Sequence, residues 1–192
     1  MHAIEDHKRI IALLKHEVVP AMGCTEPVAV ALCAARAAEL LGTLPERVKV
    51  ELSMNVLKNA MGVGIPGTGM IGLPIAIFLG MRIGKSSYGL EVLKDNHAQA
   101  VEEGKQYIEE GRISITLDEN APDGLYIKVH AEGDGRTSEA IICGEHTRFI
   151  YEAIDDEVLR KEDVKARASE EHDEPTLTMS KIYDFVTQTP IE

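Results

Sequence analysis

From Ala60 to Met81 the chain carries no charged residue, a span that reaches the roughly 20 residues needed to cross a bilayer as a helix. Its composition argues against that use. Six glycines (Gly62, Gly64, Gly67, Gly69, Gly72, Gly80) and two prolines (Pro66, Pro74) interrupt it, and a lone lipid-exposed helix cannot leave its backbone groups unpaired at so many breaks. The stretch is expected to be a buried loop running into a helix from about Met70 to Met81.

The flanking segments set the rest of the architecture. Ile4, Ile11, Leu14 and Val18 fall at helical spacing, giving an amphipathic helix that ends near Pro20. A second helix follows, with Thr25 as expected N-cap, Glu26 suited to the positive end of the dipole and Pro27 in the first turn. Its body (Ala29, Ala31, Ala34, Ala35, Ala37, Ala38) leaves little side chain, so another element can approach closely until Gly42 and Pro45 end it. Val48, Val50 and Leu52 alternate with Lys49, Glu51 and Ser53 as in a half-buried strand. A long helix is expected from about Leu90 to Glu110. The period then shortens. Ile113, Ile115 and Leu117, a turn at Ala121-Pro122-Asp123-Gly124, and Leu125, Ile127 and Val129 read as an antiparallel meander, with strands at Ser138–Cys143 and Arg148–Tyr151 to follow. The fold class is α+β, helices packed with a small antiparallel β-meander. Residues 1–151 are expected to form one domain and 152–192 a charged linker with a short terminal helix. That last region opens with nine acidic against four basic residues between Asp155 and Glu174, a solvated helix or linker, and then an amphipathic element carries Met179, Ile182, Phe185 and Val186.

Charge and cysteine usage narrow the function. Twenty basic against 32 acidic residues give a net charge of −12, which repels nucleic-acid phosphates and anionic lipid, so neither is an expected partner. Three cysteines form no even framework, and Glu5 and Asp6 stand where a signal peptide needs a basic flank. Both point to free thiols in the cytoplasm.

Two segments carry the chemistry. Cys24 sits just before a helix start, where unpaired N–H groups and the dipole favour a thiolate able to act as base, nucleophile or metal ligand; the alternative is an inert packed thiol. Cys33, among alanines, and Cys143, inside a strand, read as core. Asn55, Lys58 and Asn59 supply two amides and an ammonium at a strand end, beside glycines that let backbone N–H groups approach a ligand. That outlines a cradle for a carboxylate or phosphate, or else a tight turn needing positive backbone angles. The G-x-G-x-x-G matches at Gly62–Gly67 and Gly67–Gly72 lack the strand placement and acidic partner of a dinucleotide fold, and Gly80–Ser86 has one spacer too few for a P-loop. Among the histidines, His2, His7, His16 and His172 read as solvated, His97 as a hydrogen-bonded core residue in an apolar stripe, and His146, in a turn, as a candidate for the site.

Gly23-Cys24-Thr25-Glu26-Pro27, together with Ser53-x-Asn55-x-x-Lys58-Asn59 and Gly64-Ile65-Pro66-Gly67-Thr68, resembles the L-cysteine desulfidase and L-serine dehydratase α-chain family over about Met1 to Tyr151, as an N-terminal half. The resemblance implies a lyase. In that family a four-iron, four-sulfur cluster held by cysteines of the C-terminal half polarises the leaving group, and β-elimination yields pyruvate and ammonia, with sulfide when the substrate is L-cysteine. It implies Cys24 as the base or as a thiol near the cluster, and Asn55, Lys58, Asn59, Gly67 and Thr68 as a substrate-carboxylate pocket. Cys33 and Cys143 do not fall where cluster ligands are expected, so the fragment is expected to hold no cluster, to be inactive alone, and to need a C-terminal half or a partner subunit. A cluster-free amino-acid carboxylate binding or regulatory module is the alternative, and the alanine-rich helix leaves a homo-oligomer open.

Overall fold

A computed structural model describes residues 2–164 and 176–189, apart from the side chains of residues 2–5 and 16. The architecture is α+β. Its elements are α1 (His2–Glu17), α2 (Thr25–Leu41), β1 (Arg47–Leu52), α3 (Met54–Ala60), α4 (Leu73–Ile83), a 3-10 turn (Ser86–Glu91), α5 (Ala98–Glu109), β2 (Ile113–Leu117), β3 (Tyr126–Gly133), β4 (Arg136–Cys143), β5 (Phe149–Ile154), β6 (Glu157–Lys161) and α6 (Met179–Gln188). Contacts divide the chain into two units, residues 20–164 and a second unit made of residues 1–19 with 165–192.

In the larger unit, α2 is the middle layer. It packs on β3, β4 and β5 with one side and on α4 with the other, and Val28, Val30, Leu32 and most of its alanines are at most 1% exposed. Four apolar side chains (Val28, Val30, Leu32, Leu41) carry most of its burial, worth ~1.5–3 kcal/mol each, while the alanines set the distance. At Gly80 on α4 a Cβ would collide with the Ala31 carbonyl, so the two backbones touch as the alanine run anticipates. Helix α5 closes on α4 in the same way: a Cβ on Gly104 would lie 2.7 Å from Ile75 Cδ1 and 2.8 Å from Phe78 Cδ1.

The six-stranded sheet has the order β2-β1-β3-β4-β5-β6. The expected meander needs correcting at its start, because β2 and β3 are not neighbours. β2 pairs parallel with β1 (Val50↔Ile115) and β3 pairs antiparallel on the other side of β1 (Val50↔Val129). Alternation reveals a strand but not its partner, and residues 118–125 cross the end of β1 instead of closing a hairpin. Buried Ser53 fixes that crossing: its Oγ donates to the Gly124 carbonyl at 2.7 Å and accepts from the Tyr126 N–H at 3.3 Å. From β3 onward the pairing is antiparallel. Asp134-Gly135, both with positive φ, makes the two-residue β3–β4 turn, a sequence signal for a hairpin that strand periodicity alone passes over.

Other expectations also shift. The Leu90–Glu110 helix is broken: a 3-10 turn ends at Glu91, residues 92–95 are turn, and α5 starts only at Ala98. His97, far from being a core histidine, is exposed and caps α5, its Nδ1 accepting from the Ala100 N–H at 3.2 Å. Helix α3 stands where only a strand end and loop were expected, and the N-cap of α2 is Cys24 rather than Thr25. Segment 61–72 is largely exposed rather than buried. The charged stretch after Asp155 begins as a hairpin strand, β6, not as helix or linker, and residues 165–175 lie outside those described. No described helix is long and apolar enough to cross a membrane.

In the second unit α1 and α6 pair. Lys181 Nζ meets Asp6 Oδ2 at 2.9 Å, and His7, half-buried rather than solvated, sets its ring 4.7 Å from that of Phe185. His172 and the side chains of His2 and His16 lie outside the described residues.

Arg36 of α2 reaches the buried Glu152 of β5 at 2.6 Å. Truncating the guanidinium in Arg36→Met leaves that carboxylate buried with Arg160 3.8 Å away as its remaining cation. A loss of about 1–3 kcal/mol in urea unfolding is expected. Gly80→Ala is expected to lose about 1–3 kcal/mol by overpacking, although alanine is the better helix former; a stabilised variant would mean that α2 and α4 separate freely.

Candidate functional site

The start of α2 is held by what lies in front of it. Gly23 has φ 97, and a Cβ there would stand 3.1 Å from the Pro66 ring, so the glycine both turns the chain and admits the 61–72 segment. That segment is a small hairpin: Gly64 bridges Ile71, the Ile65 N–H donates to Met70 O, and the Gly72 N–H to Val63 O. Thr68 closes its tip, donating to Ile65 O at 2.7 Å and accepting from the Met70 N–H at 2.9 Å. Gly67 has φ 75, and a Cβ on it would sit 3.1 Å from Asn96 Nδ2. Asn96 in turn donates to Pro66 O at 3.4 Å, while its Oδ1 is buried without a hydrogen-bond partner among the described residues. Several N–H groups of the expected anion cradle are therefore engaged within the hairpin itself. Thr68 and Gly67 shape the loop, and the contact with Gly23 is what brings this segment to the Cys24 segment.

Cys24, exposed at the N-cap with an extended backbone (φ −64, ψ 132), makes no capping bond. Its Sγ donates to Glu26 Oε2 at 3.0 Å, Thr25 Oγ1 donates to the same oxygen at 3.3 Å, and Asn59 of α3 donates to Glu26 Oε1 at 3.1 Å. This reverses the expected thiolate. The Glu26 hydrogen bond, burial and the Glu26 charge push the Cys24 thiol above its ordinary value, and they outweigh the backbone N–H groups at the helix start, which pull the other way. Glu26 is held below the usual carboxylate range, first by the thiol hydrogen bond, then by its own backbone N–H and by Asn59, with the charge of His146 adding to them. Cys24 is thus a thiol beside a carboxylate.

Of the residues singled out in the sequence, Cys24 and Asn59 share one carboxylate, and His146, half-buried in the β4–β5 turn, acts on it electrostatically. Lys58 is exposed, with no ion-pair partner among the described residues. Asn55, one helical turn before Asn59, has other neighbours: its Nδ2 lies against Gly124, at a cavity of about 490 Å³ shared with Ser53, Asp118 and Asp123. The central acceptor, Glu26, figured in the sequence as a dipole partner and as part of the Gly23–Pro27 motif but not as a site residue, although its place two residues after Cys24 is a usable signal. Asn96 carried no signal, being 30 positions from Pro66 in the chain. A cavity of about 880 Å³ lies at the other end of β1, where Arg112 pairs with Glu110 and His130 with Glu132; no thiol lines it.

The donor set does not fit a four-iron cluster. Cys33 and Cys143 are fully buried, Cys33 donates to the Ala140 carbonyl at 3.3 Å, and no group of three or more His, Cys, Asp or Glu side chains could hold a metal ion among the described residues. Burial pushes both thiols up, Cys33 strongly. With a disulfide reagent, one thiol of the folded protein is expected to react, faster with rising pH, and two more only on denaturation; two fast thiols in the folded state would contradict the burial.

Three relatives align with nearly the whole chain: UPF0597 proteins of Phocaeicola vulgatus (56% identical over 100% of this chain), Bacteroides thetaiotaomicron (51% over 97%) and Aeromonas hydrophila (44% over 94%). The chain spans 44%, 44% and 42% of their lengths. No family model and no solved structure matches it. These alignments correct the placement of the chain as the N-terminal half of a desulfidase or dehydratase family member, since the relatives that match it from end to end bear another name. The likeness established over the full length of the chain is to UPF0597 proteins, a name that states no activity.

Proposed function

We propose that the Cys24 site takes a small L-amino acid and that, in the whole protein, it serves a lyase that eliminates the β-substituent of L-cysteine or L-serine. The arrangement of Cys24, Glu26 and Asn59 carries this reading. A carboxylate fixed by Asn59 suits a ligand's ammonium, an adjacent exposed thiol suits proton transfer at the α-carbon, and Lys58, one residue before Asn59, is the candidate for the α-carboxylate.

In the reaction Cys24, as thiolate, removes the α-proton, and the β-carbon loses hydrosulfide or hydroxide, which takes that proton from Cys24 and leaves as hydrogen sulfide or water. The aminoacrylate that remains tautomerises to the imine and takes up water to give pyruvate and ammonia. Nothing in this chain's donor set assigns a step to a cluster.

A second reading, an amino-acid binding or regulatory module, is favoured by one observation, the raised thiol of Cys24. Turnover separates the two. Calorimetric titration of this chain is expected to show L-serine binding that weakens about tenfold, or ~1.4 kcal/mol, in Glu26→Gln. A full-length relative is expected to release pyruvate from L-cysteine or L-serine, and to stop when the cysteine equivalent to Cys24 becomes serine. Binding without pyruvate would leave the module reading; absence of binding would remove both.

A further inference from the structure

We infer that Glu26 is a lock on the Cys24 thiol, opened when a ligand's ammonium group replaces Sγ–H as the donor to Glu26 Oε2. The inference rests on the reading that the site takes an L-amino acid, and it adds how the thiol becomes a base only when that ligand is present.

The geometry has the parts that such an exchange needs. Glu26 uses its two oxygens differently: Oε1 accepts from Asn59 Nδ2 at 3.1 Å, and Oε2 accepts from the exposed thiol at 3.0 Å. Asn59 therefore holds the carboxylate in place when the other donor leaves. A thiol is a weak donor, whereas an ammonium makes a charge-assisted bond to a carboxylate that is roughly twice as strong as a neutral one. The exchange favours the ammonium.

The charges around the pair leave this task to the ligand. On α2 the neutral Thr25 donates to Glu26 beside the thiol, α3 brings the neutral Asn59, and His146 of the β4–β5 turn acts on Glu26. Segment 61–72, pinned by Pro66 against Gly23, carries no charged side chain. With an ammonium on Oε2, Sγ loses the carboxylate hydrogen bond and most of the carboxylate's repulsion. The backbone N–H groups of Thr25 and Glu26 remain, and they stabilise the thiolate. The thiol proton passes to solvent, and the freed thiolate stands beside the α-carbon of the ligand that released it. A ligand without an ammonium leaves the lock shut.

The test is the ultraviolet thiolate titration of Cys24, read as the difference between the chain and its Cys24→Ser variant, with calorimetry run alongside. Saturating L-serine is expected to raise the thiolate fraction at neutral pH about tenfold, one pKa unit, while L-glycerate, which has a hydroxyl in place of the ammonium, leaves it unmoved. In Glu26→Gln the thiol is expected to titrate lower without ligand and to ignore L-serine. L-serine that binds by calorimetry but does not move the titration would overturn the lock and leave the amino-acid reading standing. No binding of L-serine would overturn that reading and the lock with it. Glu26→Gln with the thiol still raised would overturn the lock alone.

Discussion

Close packing of α2 between the sheet and α4 is the constraint on which the rest depends. Alanine at the contact and glycine at position 80 let two helix backbones touch, and contact that close fixes the helix against sliding and rotation alike. Because α2 cannot shift, its first turn cannot either. Cys24 and Glu26 thus stand at the end of a rigid, buried rod, although both are near its solvent-facing end and Cys24 is exposed. A reactive side chain on a loop would lack that positioning.

The site turns on competition for one carboxylate. The first turn of a helix offers N–H groups that stabilise any nearby anion, and two candidates compete for that role here, a thiolate and a carboxylate. Glu26 is the stronger acid, so it takes the negative charge, and Cys24 keeps its proton as the donor. Asn59 reinforces this outcome from α3, and His146 does so from the β4–β5 turn. The same helix end that would activate an isolated cysteine holds this one in reserve.

Much of the segment pattern that stands out in the chain proves to be scaffold. Gly23 turns and admits Pro66, Ser53 ties the crossing at the end of β1, Gly67 makes room for Asn96, and Thr68 closes its own hairpin. What singles these residues out is that each meets a geometric demand few other residue types satisfy. Three separated segments are consequently one contact surface, and only Cys24, Glu26, Asn59 and, through its charge, His146 converge on the chemistry.

Local pattern suffices for the individual elements: α2 and its Gly42 stop, the alternating strands, a helix behind the glycines, the amphipathic α6, and two thiols belonging to the core. These follow from periodicity, capping and side-chain volume, which act over a few residues. Long-range contacts were needed to show that β2 joins β1 in parallel, that α5 starts late at a histidine cap, that Asn55 meets Gly124 while Asn59 meets Glu26, and that the Cys24 thiol is raised rather than lowered. Strand partners and side-chain neighbours depend on which distant segments the folded chain brings together. A pKa depends on the balance of burial, charge and hydrogen bonds that those neighbours create, and a helix dipole read from sequence supplies one side of that balance alone.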